Sequence, residues 1–321
     1  MKTTLTRTQV YAAILGHAVA DALGVPVEFS SREERRLDPV TDMRGYGTYN
    51  LPAGTWSDDT SMTLAALDSL TSGFDPEHMM ACFNAWLTHA DYTASDIVFD
   101  IGNTTYYAIS RYRQGIAPLL CGEQSLSGNG NGSLMRIIPT ALYCYSRMPG
   151  ATVAQKLEII HQSSALTHGH QVAQLCCGVY CFIIWALLQD PSKEAVARAL
   201  AEARQHYSAM PAFSRAMYTC SRLFEPHLAA LPEEDIRSGG YVLDTLEAAL
   251  WCLLNTDSYP EAVLRAANLG HDTDTVAAVT GGMAGLLYGV DAIPQKWLDT
   301  LLRRDVIKEL CNYFADAQNT P

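Results

Sequence analysis

Apolar residues recur at three- and four-residue intervals along most of the chain, a period that predicts helices. Over residues 8–24, Ala12, Leu15, Val19 and Leu23 share one face, and Gly24 is the stop. From Asp58 a second helix places Met62, Ala65, Ala66, Ser69 and Leu70 together and closes at Gly73. Further helices are expected over residues 76–89, 151–163, 171–189, 242–254 and 260–268, with a more polar, alanine-rich helical region over 191–230. After Thr275 a last apolar helix carries Gly281, Gly285 and Gly289 at four-residue spacing, a face that lets another backbone approach closely. Residues 30–55 read as a long loop able to cover a site. No segment alternates apolar and polar positions as a strand would. With no linker and no internal repeat, the pattern predicts one all-α domain over residues 1–321.

Composition changes this picture little. Hydrophobic residues make up 48% and charged residues 17% of 321 positions, enough for a large core. The formal net charge of −12 argues against nucleic acid or an anionic membrane as partner. Nine cysteines, three of them at Cys176, Cys177 and Cys181, form no paired framework. They read as reduced thiols used as small hydrophobes, which suits a cytoplasmic protein. Lys2 and Arg7 before the apolar stretch Val10 to Ala20 mimic a signal peptide. His17 interrupts that stretch, and the text runs on into Asp21 to Phe29, so a retained helix is expected. No apolar stretch is read as long enough to span a membrane, and a monomer is the default state.

The chemistry concentrates in two clusters. Ser57-Asp58-Asp59-Thr60 and Asp272-Thr273-Asp274-Thr275 each put two carboxylates and hydroxyls at a helix start. A Ser57 or Asp58 cap explains one acid but poorly explains two adjacent ones. Carboxylates and hydroxyls select hard cations such as Mg²⁺, Mn²⁺ or Ca²⁺. Four acids around one point repel strongly, which favours two ions over one. Such a pair can hold a diol, activate water or clamp phosphate. The residues alone leave open a phosphate ester, a glycosidic bond or a related link.

Other candidates carry bland readings beside functional ones. Glu28 reads first as a solvated loop acid, otherwise as one pointed into a polar site, and Asp100 first as a cap, otherwise as an acid supporting a site from behind. The run Gly128 to Arg136 is either a plain loop or a nest of amides for an anion. Thr167-His168-Gly169-His170 is a turn whose histidines cap a helix or face a ligand.

Five stretches in order resemble the ADP-ribosylglycohydrolase family, which includes the dinitrogenase reductase-activating glycohydrolase and the ADP-ribosylarginine hydrolases. They are Gly16 to Glu28 (GHAVADALGVPVE), Trp56 to Thr60 (WSDDT), Gly128 to Arg136, Thr167 to His170 and Gly270 to Thr275 (GHDTDT). The resemblance implies a compact orthogonal helical bundle around a dinuclear Mg²⁺ or Mn²⁺ site. Its metal ligands would be Ser57, Asp58, Asp59, Asp272, Asp274 and Thr275. Its substrate-binding residues would be Asp100, Gly128, Asn129, Gly130, Asn131, Gly132, Ser133, Met135 and His168.

Glu28, Asp58 and Asp274 would be the catalytic acids, steering a water toward the anomeric carbon and stabilising oxocarbenium-like charge. Two departures stand out: Ser57 replaces the usual Thr, and Ala20 precedes Asp21 where Gly is common. The implied activity is metal-dependent release of ADP-ribose from an arginine side chain of a modified protein. A serine-linked or O-acetyl conjugate, or ADP-ribose binding without catalysis, are the alternatives. Arginine recognition needs an acid near the leaving group, and residues 33–42 are one place to find it.

Overall fold

The computed structural model describes residues 4–225 and 227–319, so Lys2 and Pro226 lie outside the described residues. Fifteen α-helices follow one another, with short 3₁₀ turns and, among the described residues, no strand. They are α1 Arg7–Gly24, α2 Arg32–Leu37, α3 Asp58–Thr71, α4 Pro76–His89, α5 Asn103–Arg113, α6 Ile138–Arg147, α7 Val153–Ala165 and α8 Gln171–Gln189. Then come α9 Lys193–Ser208, α10 Ser214–Thr219, α11 Val242–Leu254, α12 Tyr259–Ala267, α13 Thr273–Tyr288, α14 Gln295–Thr300 and α15 Arg304–Asn319.

The centre of the fold is the pair α1 and α13, which pack on each other more extensively than any other two helices described. Small residues make this possible. A Cβ on Gly16 would lie 2.5 Å from the carbonyl oxygen of Gly281, and one on Gly285 would overlap the carbonyl of Ala12. Around the pair, α3, α8, α11, α12 and α15 complete a core in which α8 buries Cys176, Cys177 and Cys181. All nine cysteines are buried and free.

The fold departs from the expected pattern in four places. Gly289 is not on the α13 face: it ends the helix at φ +86, with open space beside its Cα. Region 191–230 is helical only through α9, then breaks into α10 and short 3₁₀ turns around Pro211 and Cys220. Helices α2, α5, α6, α14 and α15 have no counterpart among the expected elements, α2 lying within the stretch 30–55 expected as a loop. In α5 the reason is visible, since only Thr105, Ala108 and Ile109 are buried and no apolar stripe forms. Lastly, Arg7–Val27 and Gln171–Gln189 are long and apolar enough to cross a membrane, against expectation, but 94% and 83% of their apolar windows are buried inside the fold.

Candidate active site

Helices α3 and α13 begin at the same point in space. Ser57 is the N-cap of α3, its hydroxyl accepting from the Asp59 amide. Asp21, in the last turn of the apolar helix α1, fixes this start from outside. It accepts from the Ser57 amide (3.0 Å), the Thr60 amide (3.0 Å) and the Thr60 hydroxyl (2.6 Å). At α13 the N-cap position is Asp272, whose side chain makes no capping bond and instead accepts from the Asn131 amide group at 2.8 Å. Thr275 donates to Asp59 Oδ2 at 3.2 Å and ties the two helix starts together.

Seven carboxylates converge here in three overlapping groups: Asp21, Asp59 and Asp274; Glu28, Asp272 and Asp274; and Asp58, Asp59 and Asp100. Within each group one oxygen per acid lies inside 4.8 Å of the others. Every one of the seven is pushed above the ordinary carboxylate range, first by burial. Asp21 rises to about 6, held back by its hydrogen bonds, whereas Glu28 rises to about 9 with the charge of Asp100 adding to burial. For Asp58, Asp59 and Asp274, neighbouring acids add to burial. Asp59 Oδ1 and Asp274 Oδ2 are buried with no donor. Buried, mutually repelling oxygens without donors fit a hard divalent cation, which supplies the missing positive charge.

Glu28 is not the solvated acid the sequence suggests. Only 5% of it is exposed, because the loop after α2 folds back over it. Thr48 donates to the Glu28 carbonyl at 2.7 Å, and the Tyr49 hydroxyl lies 2.6 Å from Glu28 Oε2 and 2.6 Å from Asp100 Oδ1. Asp100 is likewise no cap. It sits at φ +61, three residues before α5, whose own N-cap is Gly102. A phenol has one proton and here touches two carboxylate oxygens, so this trio must carry a second proton to avoid oxygen–oxygen repulsion.

Glu28, Asp58, Asp100 and Asp272 line a pocket of about 360 Å³, together with Thr275, whereas Asp21, Asp59 and Asp274 are not part of its lining. Its walls include Gly130, Asn131, Gly132, Met135 and His168 from the expected substrate-binding set, as well as Asp100. Three expected members do not reach it. Gly128 packs against Glu123, Asn129 donates to the Leu126 carbonyl, and the Ser133 hydroxyl is buried 2.9 Å from that of Ser164. No glycine of this loop uses a positive φ, so the loop is held by close packing and by bridging to residues 240–242. The turn after α7 divides its roles: His170 caps α8, and His168 enters the pocket wall. Within residues 33–42, Glu34 caps α2, Asp38 pairs with Arg44, and Asp42 pairs with Lys296. Glu33 lines a second cavity of about 480 Å³, bordered by Gly239 and His271, the chain neighbours of pocket residues Gly240 and Asp272.

The sequence matches the model of the ADP-ribosylglycohydrolase family over residues 2–321. The chain belongs to the ADP-ribosylglycohydrolase family. It is therefore an enzyme, a hydrolase of ADP-ribosyl glycosidic bonds. It is 35% identical over 307 residues to an ADP-ribosylarginine hydrolase, Tri1, of Pseudomonas putida, covering 95% of this chain and 77% of that one. The ADP-ribosyl-[dinitrogen reductase] glycohydrolase of Rhodospirillum rubrum is 29% identical, covering 90% and 88%. A solved structure described as an ADP-ribosylglycohydrolase-related protein complex superimposes with a TM-score of 0.80 at 31% identity, covering 97% of this chain and 98% of that chain.

Within this ADP-ribosylglycohydrolase fold, Ala20 does not loosen the helix pair, because its methyl faces Gly281 on α13. Sequence reasoning missed Asp21, Tyr49 and Thr105 as parts of the site. Asp21 left a signal, an acid inside the run Ala18-Val19-Ala20-Asp21-Ala22-Leu23. Tyr49 left none, since its partners lie 21 and 51 positions away.

Proposed function

We propose that this protein is a metal-dependent hydrolase that cleaves the N-glycosidic bond between ADP-ribose and an arginine side chain of a modified protein. The observation that carries this reading is the group of seven carboxylates, five buried and two half-buried, at a pocket walled by a glycine-rich loop and a histidine. The 35% identity to an ADP-ribosylarginine hydrolase supports the linkage. So does Asp100 at the pocket wall, where a cationic guanidinium finds an acceptor.

Ser57, Asp58, Asp59, Asp272, Asp274 and Thr275 would hold two Mg²⁺ or Mn²⁺ ions, which supply Lewis acidity and charge to orient the ribose diol. Asn131, bonded to Asp272 and Thr245, keeps Asp272 turned toward the site. Asp58 and Asp274 steer the attacking water and stabilise positive charge at the anomeric carbon. The water oxygen bonds to that carbon and passes its proton to one of these two carboxylates as the carbon–nitrogen bond breaks, and the departing guanidine takes up a proton. Glu28, which carries a proton beside Tyr49, is the acid we assign to that transfer.

The test is release of free ADP-ribose from an arginine-ADP-ribosylated protein, with Mg²⁺ or Mn²⁺ and then with EDTA. Metal-dependent release supports the class and the linkage together. Release only from serine-linked or O-acetyl conjugates would replace the arginine linkage. Binding of ADP-ribose with no turnover of any conjugate would replace catalysis by recognition.

A further inference from the structure

Arg136 is fully buried and has no carboxylate partner among the described residues. Its Nη2 donates to the Ser163 carbonyl at 3.1 Å and to the Thr167 hydroxyl at 2.8 Å, while the guanidinium lies 4.5 Å over the Phe83 ring. The Thr167 oxygen, also fully buried, is 2.8 Å from His168 Nδ1. These contacts set the direction of each proton. A guanidinium only donates, so the Thr167 oxygen is the acceptor from Arg136. The threonine's own proton then has, among the described residues, a single acceptor in reach, His168 Nδ1. If Nδ1 carried the hydrogen instead, that hydroxyl proton would be buried without an acceptor.

The ring hydrogen is therefore on Nε2, which makes no hydrogen bond among the described residues. That edge of the ring fits the space left by missing side chains in the glycine-rich loop. A Cβ on Gly132 would lie 2.8 Å from Cε1 and 3.3 Å from Nε2 of His168, and one on Gly130 would lie 3.4 Å from Nε2.

We propose that Arg136 and Thr167 are positioning residues that hold His168 as a fixed Nε2–H donor into the pocket, selecting an acceptor oxygen of the ADP-ribosyl group. Burial and then the charge of Arg136 push the ring down to about 3, so it stays neutral throughout the working range. A neutral Nε2–H donor cannot bind a metal through that nitrogen and cannot accept from an N–H group. It accepts as partner a phosphate or ribose oxygen.

The inference rests on reading the pocket as an ADP-ribose site, but its first readout needs no ligand. Nitrogen-15 shifts of the His168 ring in the labelled full-length protein report the tautomer directly. The expected result is Nε2–H in the wild type. Thr167→Val should give a tautomer mixture and about tenfold weaker ADP-ribose binding, the worth of one hydrogen bond. It should raise KM more than it lowers kcat, and Thr167→Ser should restore all three. Binding of inorganic pyrophosphate separates the two oxygens: parallel weakening marks a phosphate contact, and unchanged pyrophosphate binding marks the ribose. An Nδ1–H tautomer in the wild type overturns the proposal, as does a Thr167→Val protein with unaltered tautomer and affinity. Wild-type Nε2–H with no affinity for ADP-ribose would instead count against the ADP-ribose reading while the tautomer assignment stood.

Discussion

The hydroxyl of Thr275 donates to Asp59 Oδ2 at 3.2 Å, although 216 positions of sequence separate them. This bond joins the starts of two core helices and makes their acids one site. An isolated helix start tolerates two acids through its dipole and free amides. Two such starts brought together exceed what capping satisfies, and the surplus negative charge is the property that a cation would use.

Asp58→Ala and Asp274→Ala should each leave a folded protein, judged by circular dichroism, with turnover reduced about a hundredfold or more. Near-normal release of ADP-ribose by both variants would refute the assignment of these acids.

Asp59→Asn should melt higher than the wild type in EDTA, by about 2–4 °C for each kcal/mol of relieved repulsion. The same variant should lose most of the increase in Tm that Mg²⁺ or Mn²⁺ gives the wild type. A lower Tm in EDTA would show that Asp59 stabilises the fold without metal.

Metal-free stability should fall between pH 6.5 and about 9. A carboxylate whose pKa is raised by folding binds its proton more tightly in the folded state, so its cost is absent below the unfolded pKa. That cost grows as pH rises through the folded value, about 9 for Glu28. The buried His17 and His161, pushed down to about 4 by burial, act oppositely but only below their unfolded value of 6.5. Urea midpoints in EDTA should therefore drop across this window, and saturating metal should flatten the trend. A midpoint that rises with pH in EDTA contradicts the electrostatic picture.

Tyr49→Phe removes the hydroxyl shared by Glu28 and Asp100. Losing a hydrogen bond to a charged group costs about 1.5–3 kcal/mol, so kcat should fall roughly 10- to 100-fold. Metal-induced stabilisation should persist, because Tyr49 touches neither Asp59 nor Asp274. Loss of that stabilisation would place Tyr49 in metal binding.

Gly285→Ala should destabilise by about 1–3 kcal/mol or more, since the new methyl overlaps the Ala12 carbonyl across the central helix pair. Gly289→Ala meets open space and should cost about 1–3 kcal/mol, from a backbone conformation at φ +86 and ψ 158 that essentially only glycine adopts. Thermal melts of the two variants separate close packing from backbone conformation.

The helical class was legible because apolar spacing is local. Residues 76–89, 171–189 and 242–254 were expected as helices and are α4, α8 and α11 with the same bounds. Helix α5 was not, because it buries three side chains and its remaining pattern is polar. The two acid clusters were legible for the same local reason: paired carboxylates and hydroxyls at a helix start exceed what a single cap uses.

Glu28 and Asp100 show where local reading ends. Each has apolar neighbours in sequence, Val27 and Phe29 or Phe99 and Ile101, and each reads as a loop acid or a cap. Burial and proton sharing come from Tyr49, on a loop folded back over both. Ser133 fails in the other direction, a residue of the glycine-rich stretch whose hydroxyl turns into the core toward Ser164. The sequence by itself determined the helices that carry a clear apolar stripe and the two acid clusters suited to a cation, since both follow from side chains within a few positions. Only the tertiary structure decided which of them meet, because desolvation and charge repulsion depend on distances between segments that lie as much as 216 residues apart.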